Sequence, residues 1–294
     1  MTKTLVWVIL LVPAIAAAHE GRSSGSGTGE LGNHVAGLII GLLLFLLFET
    51  TVLYGNFRTW FRNPNHPEPP SPERFFHGAV FSFVAMVLTG VILTLKFSGA
   101  DLSHSPLISF YGYNNVCIFF DYPPSTYVCP VYWFFVSYLI GRYAVEDTKR
   151  LMQLTTVGHS QKALFYAVNV LLVLSVAFFF VTLSIDPAKD VYSHTIPFVF
   201  MIATLPSVWL MHYFQREKPS TLLTAGVGVY MALTVTKLVF DIYALSSGHH
   251  MPPSIGQAVD VLWMICTLSA PFIMPAPVVS NAPVVSKQLT AALN

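Results

Sequence analysis

Hydrophobic and polar positions along this chain come in long blocks rather than in short alternating runs. Seven apolar blocks, at about 33–54, 75–97, 127–143, 163–184, 193–214, 221–245 and 257–280, each lie near the roughly 20 residues that cross a bilayer core. A strand buried in a soluble sheet would be only about four to eight residues long. Each block therefore predicts a membrane-spanning helix, because a helix satisfies its own backbone hydrogen bonds in lipid. The expected fold class is an all-α membrane protein, a seven-transmembrane-helix bundle.

The chain opens on a different pattern. "MTKTLVWVILLVPAIAAAH" has Lys3 in a short basic region, an apolar stretch from Leu5, and Ala16-Ala17-Ala18 as a small-residue cleavage site. This predicts a signal peptide over 1–18, cut before His19. Residues 19–32, "HEGRSSGSGTGELG" with its Gly and Ser, then form a flexible extracytoplasmic tail. The seven-helix domain covers 33–280 and a cytoplasmic tail covers 281–294. An odd number of spans from an outside start places the C-terminus inside.

Charge tests that layout independently. Ten cationic residues fall in segments expected inside (Arg58, Arg62, Arg74, Arg142, Lys149, Arg150, Lys162, Arg216, Lys218 and Lys287) and two, Arg22 and Lys189, outside. The asymmetry follows the positive-inside rule. Composition agrees, with 54% hydrophobic and 10% charged residues against about 25% charged in a soluble domain. The net charge of +1 gives no argument for a nucleic-acid partner. The bilayer is the expected partner, and the proline-rich inner loop 58–74 could dock a cytoplasmic one or serve as a stiff connector. Cys117 and Cys129 bracket the first outer loop, and in an oxidising compartment they predict a disulfide.

Charges inside apolar blocks are where function is expected. Lys237 and Asp241 are four apart and share a helical face. Taking helix centres near 232 and 268, Lys237 lies about 7 Å, Asp241 about 13 Å and Asp260 about 12 Å to the outer side. The three should meet, with His249 and His250 just above. This predicts an outward-facing polar vestibule between the sixth and seventh helices. The plain alternative is a clasp that holds two helices in register. On the inner side Glu49 and Arg142 match in depth and could form an interhelical pair, although Glu146, one turn on, competes for Arg142. Asn169 and Ser175 are expected to make interhelical hydrogen bonds. Pro206 with Ser207 should kink its helix, and "PFIMPAP" should break or bend the last one.

Among function classes, a receptor-like protein of the secretory pathway, at the plasma membrane or an endomembrane, fits this layout. It resembles a G-protein-coupled receptor in topology only, since the last helix has no N-P-x-x-Y and the second outer loop no cysteine. A small-molecule or ion carrier or channel, and a non-catalytic accessory protein, are the alternatives. Enzymatic chemistry is not favoured: no H-x-x-x-H occurs. No cofactor is predicted. A b-type haem is a further alternative, with His34 facing His194 and His77 facing His212, although all four lie near helix ends where solvated histidines are common. A mature N-terminal His19 could chelate copper, but no second histidine lies near it in sequence.

Overall fold

A computed structural model describes residues 28–66, 69–113, 115–153, 158–216, 218–248 and 252–274, with side chains from residue 32 onward. The described residues form helices without strands: α1 (Thr28–Arg62), α2 (Pro72–Phe97), α3 (Pro106–Tyr111), α4 (Ser125–Gln153), α5 (His159–Ser184), α6 (Val191–Thr204), α7 (Ser207–Phe214), α8 (Thr221–Ser247), α9 (Pro253–Leu268) and α10 (Ala270–Ile273). Two 3₁₀ turns, Leu102–His104 and Val116–Phe119, flank α3. The signal peptide, His19, His249, His250 and the tail 281–294 lie outside the described residues.

Six helical units are long and apolar enough to cross a membrane: α1, α2, α4, α5, the α6–α7 pair taken as Val191–Phe214, and α8. The seventh apolar block forms α9, which at 16 residues reaches only about 24 Å. It stops because Ser269 caps it and Pro271 follows, a residue that cannot donate to the helical ladder. Pro206 likewise parts α6 from α7, a full break at the position where the sequence leads one to expect a kink. The chain is a multi-pass helical membrane protein.

Burial separates centre from rim. In α2 and α4 61% of the apolar window is buried, against 22% in α1 and 28% in α8, so α2 and α4 form the axis and α1 and α8 present broad faces to lipid. Phe83, Trp133 and Phe179 stack across α2, α4 and α5, with ring centroids 6.0 and 4.4 Å apart. Trp209, Tyr230 and Trp263 do the same across α7, α8 and α9. α1 can lie against the axis because of Gly41: a Cβ there would sit 2.7 Å from Val128 Cγ2 and 2.8 Å from Leu93 Cδ1.

One end of the bundle carries residues 98–124 and is called the cap end; the opposite, arginine-rich end is the basic end. The disulfide expected in the cap is absent, and Cys117 and Cys129 are free and buried. Their thiols face different surroundings. Cys117 lies within electrostatic reach of Asp121, Asp260, Lys237 and Asp241, whereas Cys129, inside α4, interacts with Asp121 and Tyr132. Burial, reinforced by Asp121, pushes the Cys117 thiol up, which leaves it unreactive.

Candidate functional site

The charges that share a level in the sequence meet in space. One turn of α8 aligns Lys237 with Asp241, and the Lys237 ammonium lies 3.3 Å from both Asp241 oxygens. The same ammonium contacts the Asp260 carboxylate, delivered by the antiparallel α9. Lys237 is 2% and Asp241 1% exposed. Aromatic rings complete the surroundings of the cation, Phe198 of α6 at 5.4 Å and Tyr111 at 5.9 Å.

The cap reaches down to this cluster. Asn115 uses its side-chain oxygen to accept from the Cys117 N–H at 3.0 Å, so its amide group is aimed the other way and donates to Asp260 at 3.1 Å. Tyr113 hydrogen-bonds Asp260 as well and presses on Gly256, where a Cβ would sit 2.6 Å from its ring. Burial and the Asp260 carboxylate push the Tyr113 phenol well above the usual tyrosine range, and burial with Asp241 does the same to Tyr111. Both phenols are therefore neutral hydrogen-bonding groups at physiological pH.

Open space lies beside the cluster. Trp263 of α9 donates to Thr234 of α8 at 3.0 Å, and Tyr230 of α8 bonds Thr267 of α9 at 2.7 Å. A cleft of about 280 Å³ lies where α9 meets α2, with Lys237 of α8 in its lining. Its walls include Val87 and Val91 of α2, Phe119 of the cap, Phe198, and Gln257 and Val261 of α9, with Lys237 and Asp260 in its lining.

At the basic end the expected Glu49–Arg142 pair does not form. Glu49 is buried between α1 and α2 and accepts from Ser82 at 2.7 Å. Arg142 binds Glu146 at 3.1 Å and lies over the Phe75 ring at 5.2 Å. Equal depth left the azimuth around each helix open, and the i+4 partner was closer.

A second cluster was not foreseen. Arg150 of α4 holds Glu73 of α2 at 2.5 Å, Asp147 at 2.6 Å and Gln215, just past α7, at 2.7 Å. Asn169 of α5 donates to Asp147 at 3.0 Å, the interhelical bond expected of it, and Ser175 accepts one from Thr204 at 2.6 Å. Four segments are thus clasped around one guanidinium. The i,i+3 spacing of Asp147 and Arg150 was the available signal.

Four histidines have polar neighbours, two of them in the Arg150 cluster. His212 sits 3.6 Å from Glu73 and 3.4 Å from the Tyr143 hydroxyl. His77 shares the Glu73 neighbourhood. His194 bonds the Ile185 carbonyl at 2.9 Å and lies 3.8 Å from Asp121, while His34 reaches Ser98 O at 3.5 Å. Among the described residues, no three His, Cys, Asp or Glu side chains converge as a metal site.

Compared with protein-family models, curated proteins and solved structures, the chain finds no match.

Proposed function

We propose that this is a receptor-like multi-pass protein of the secretory pathway or cell surface, with the cap outside, in which a small ligand engages the Lys237–Asp241–Asp260 cluster. One observation carries the reading: a single buried ammonium is shared by carboxylates of two helices, one of which is also held by Asn115 of the cap. A plain clasp between two helices needs one pair. Here one lysine faces two aspartates, and the cluster carries an excess negative charge where desolvation makes it costly.

Two physical links run from this cluster to the Arg150 clasp. α2 forms a wall of the cleft at Val91 and carries Glu73 at its other end, about 27 Å away along one helix. Phe198 touches Lys237, and its helix continues through the Pro206 break into the segment that supplies His212 and Gln215. A break in the hydrogen-bond ladder supplies a hinge, and a clasp centred on one arginine supplies a two-state element.

Hydrogen exchange on the full chain in nanodiscs tests the link. Asp260→Asn should raise exchange both in the cap and in the basic-end peptides 142–153 and 207–215. Exchange raised in the cap alone would reduce the cluster to a local clasp and remove the receptor reading.

A further inference from the structure

We infer that the ligand is a single-chain amphiphilic amine that enters the α2–α9 cleft sideways from the bilayer; this rests on the receptor-like reading and names its ligand class. On the cap side the cluster is covered by polar and aromatic contacts. Asn115 and Tyr113 bind Asp260, and the Tyr111 ring faces the Lys237 ammonium. The cleft runs along α9. Gln257, Val261 and Ile265 line it at spacings of four, one stripe of α9 about 12 Å long. Val261 and Ile265 remain 51% and 56% exposed on the surface that meets lipid, so the mouth of the cleft faces acyl chains.

The chemistry of the walls selects the occupant. Along its length the cleft is apolar, which suits an alkyl chain. At its polar end Lys237 is almost fully enclosed, whereas Asp260 keeps 15% of its side chain exposed. An arriving head group therefore meets a carboxylate first, in a cluster with one ammonium for two aspartates. A protonated amine restores neutrality there, and Phe119 and Phe198 in the lining offer it ring faces. A carboxylate head would add a third negative charge, and an alcohol would leave the excess in place. A cavity of about 280 Å³ lies just below the range of ligand sites, about 300 to 1,000 Å³, and favours one chain over two.

Photo-crosslinking tests this with dodecylamine carrying a diazirine on its chain, added to the full chain in phosphatidylcholine nanodiscs. Labels should map to the 87–91 and 257–265 peptides, and unlabelled dodecylamine should compete while dodecanol and dodecanoate do not. Asp260→Asn should weaken labelling by about tenfold or more. Val91→Trp, which fills the cleft without touching a charge, should abolish it in a protein that still elutes as a monodisperse peak. Equal competition by the alcohol or the acid, or undiminished labelling in Val91→Trp, would overturn the amine assignment. Equal labelling by a two-chain phosphatidylethanolamine probe would overturn the single-chain one. Loss of amine labelling with the Asp260→Asn exchange coupling intact removes the ligand class and leaves the receptor reading standing.

Discussion

Replacing Lys237 with methionine keeps most of the side-chain volume and removes the one cation that Asp241 and Asp260 share. At the observed 3.3 Å from Asp241 the attraction is about 5 kcal/mol at an effective dielectric of 20. Desolvation of three groups offsets much of that sum in the native protein. The variant loses the attraction and keeps the desolvated carboxylates, so the expected destabilisation is about 3–5 kcal/mol, the range for removing one partner of a buried pair. Reversible unfolding in mixed micelles of dodecylmaltoside and SDS, followed by circular dichroism, measures it. The triple variant Lys237→Met, Asp241→Asn, Asp260→Asn has no buried charge in the cluster and should recover most of the loss. The charge reversal Lys237→Glu with Asp260→Lys should likewise restore stability relative to Lys237→Glu alone. A Lys237→Met cost under about 1 kcal/mol, or a triple variant no more stable than the single, would refute the reasoning.

Arg150→Met should cost about 3–5 kcal/mol in the same assay, because Asp147 is fully buried and loses its strongest partner. Glu49→Gln and Arg142→Gln should show no coupling in a double-mutant cycle, since the two side chains bind Ser82 and Glu146. Gly41→Val should cost about 1–3 kcal/mol by forcing α1 off Val128 and Leu93. In the cap, hydrogen bonds from Ser103 hold the Asp101 carboxyl below its ordinary range. A depressed folded pKa gives a contribution that is complete above the free-aspartate value of about 3.9 and fades as pH falls through the lower folded one. Protection of the Ser103 amide should therefore persist at pH 4 and be lost only in stronger acid, as hydrogen exchange can show.

Much of the architecture was legible because bilayer thickness sets block length, and proline, which lacks a donor, marks breaks such as Pro206. Depth along antiparallel helices was also enough to bring Lys237, Asp241 and Asp260 together. What depth cannot encode is rotation about each axis. Glu49 and Arg142 matched in height and faced different neighbours, and α2, whose Val87 and Val91 line the cleft beside the charge cluster, was not foreseen as part of it. Compartment chemistry had the same limit: an oxidising side permits a disulfide, but Cys117 is held by its turn near the charges and both thiols are free. The Asn115 contact spans 145 residues of sequence and no local pattern announces it. At the basic end Arg150 read as one more positive-inside residue, so the clasp it centres was hidden in a charge count.

The central claim is that occupancy of the cleft is felt at the Arg150 clasp. Spin labels carried by unnatural amino acids at Met152 and Phe214, both exposed and on either side of the clasp, report it directly by pulsed electron-electron resonance in nanodiscs. Saturating dodecylamine should add a population displaced by about 2 Å or more, with dodecanol leaving the distribution as it is in the free protein. Identical distributions with and without the amine, in samples where crosslinking shows the cleft filled, would contradict the account.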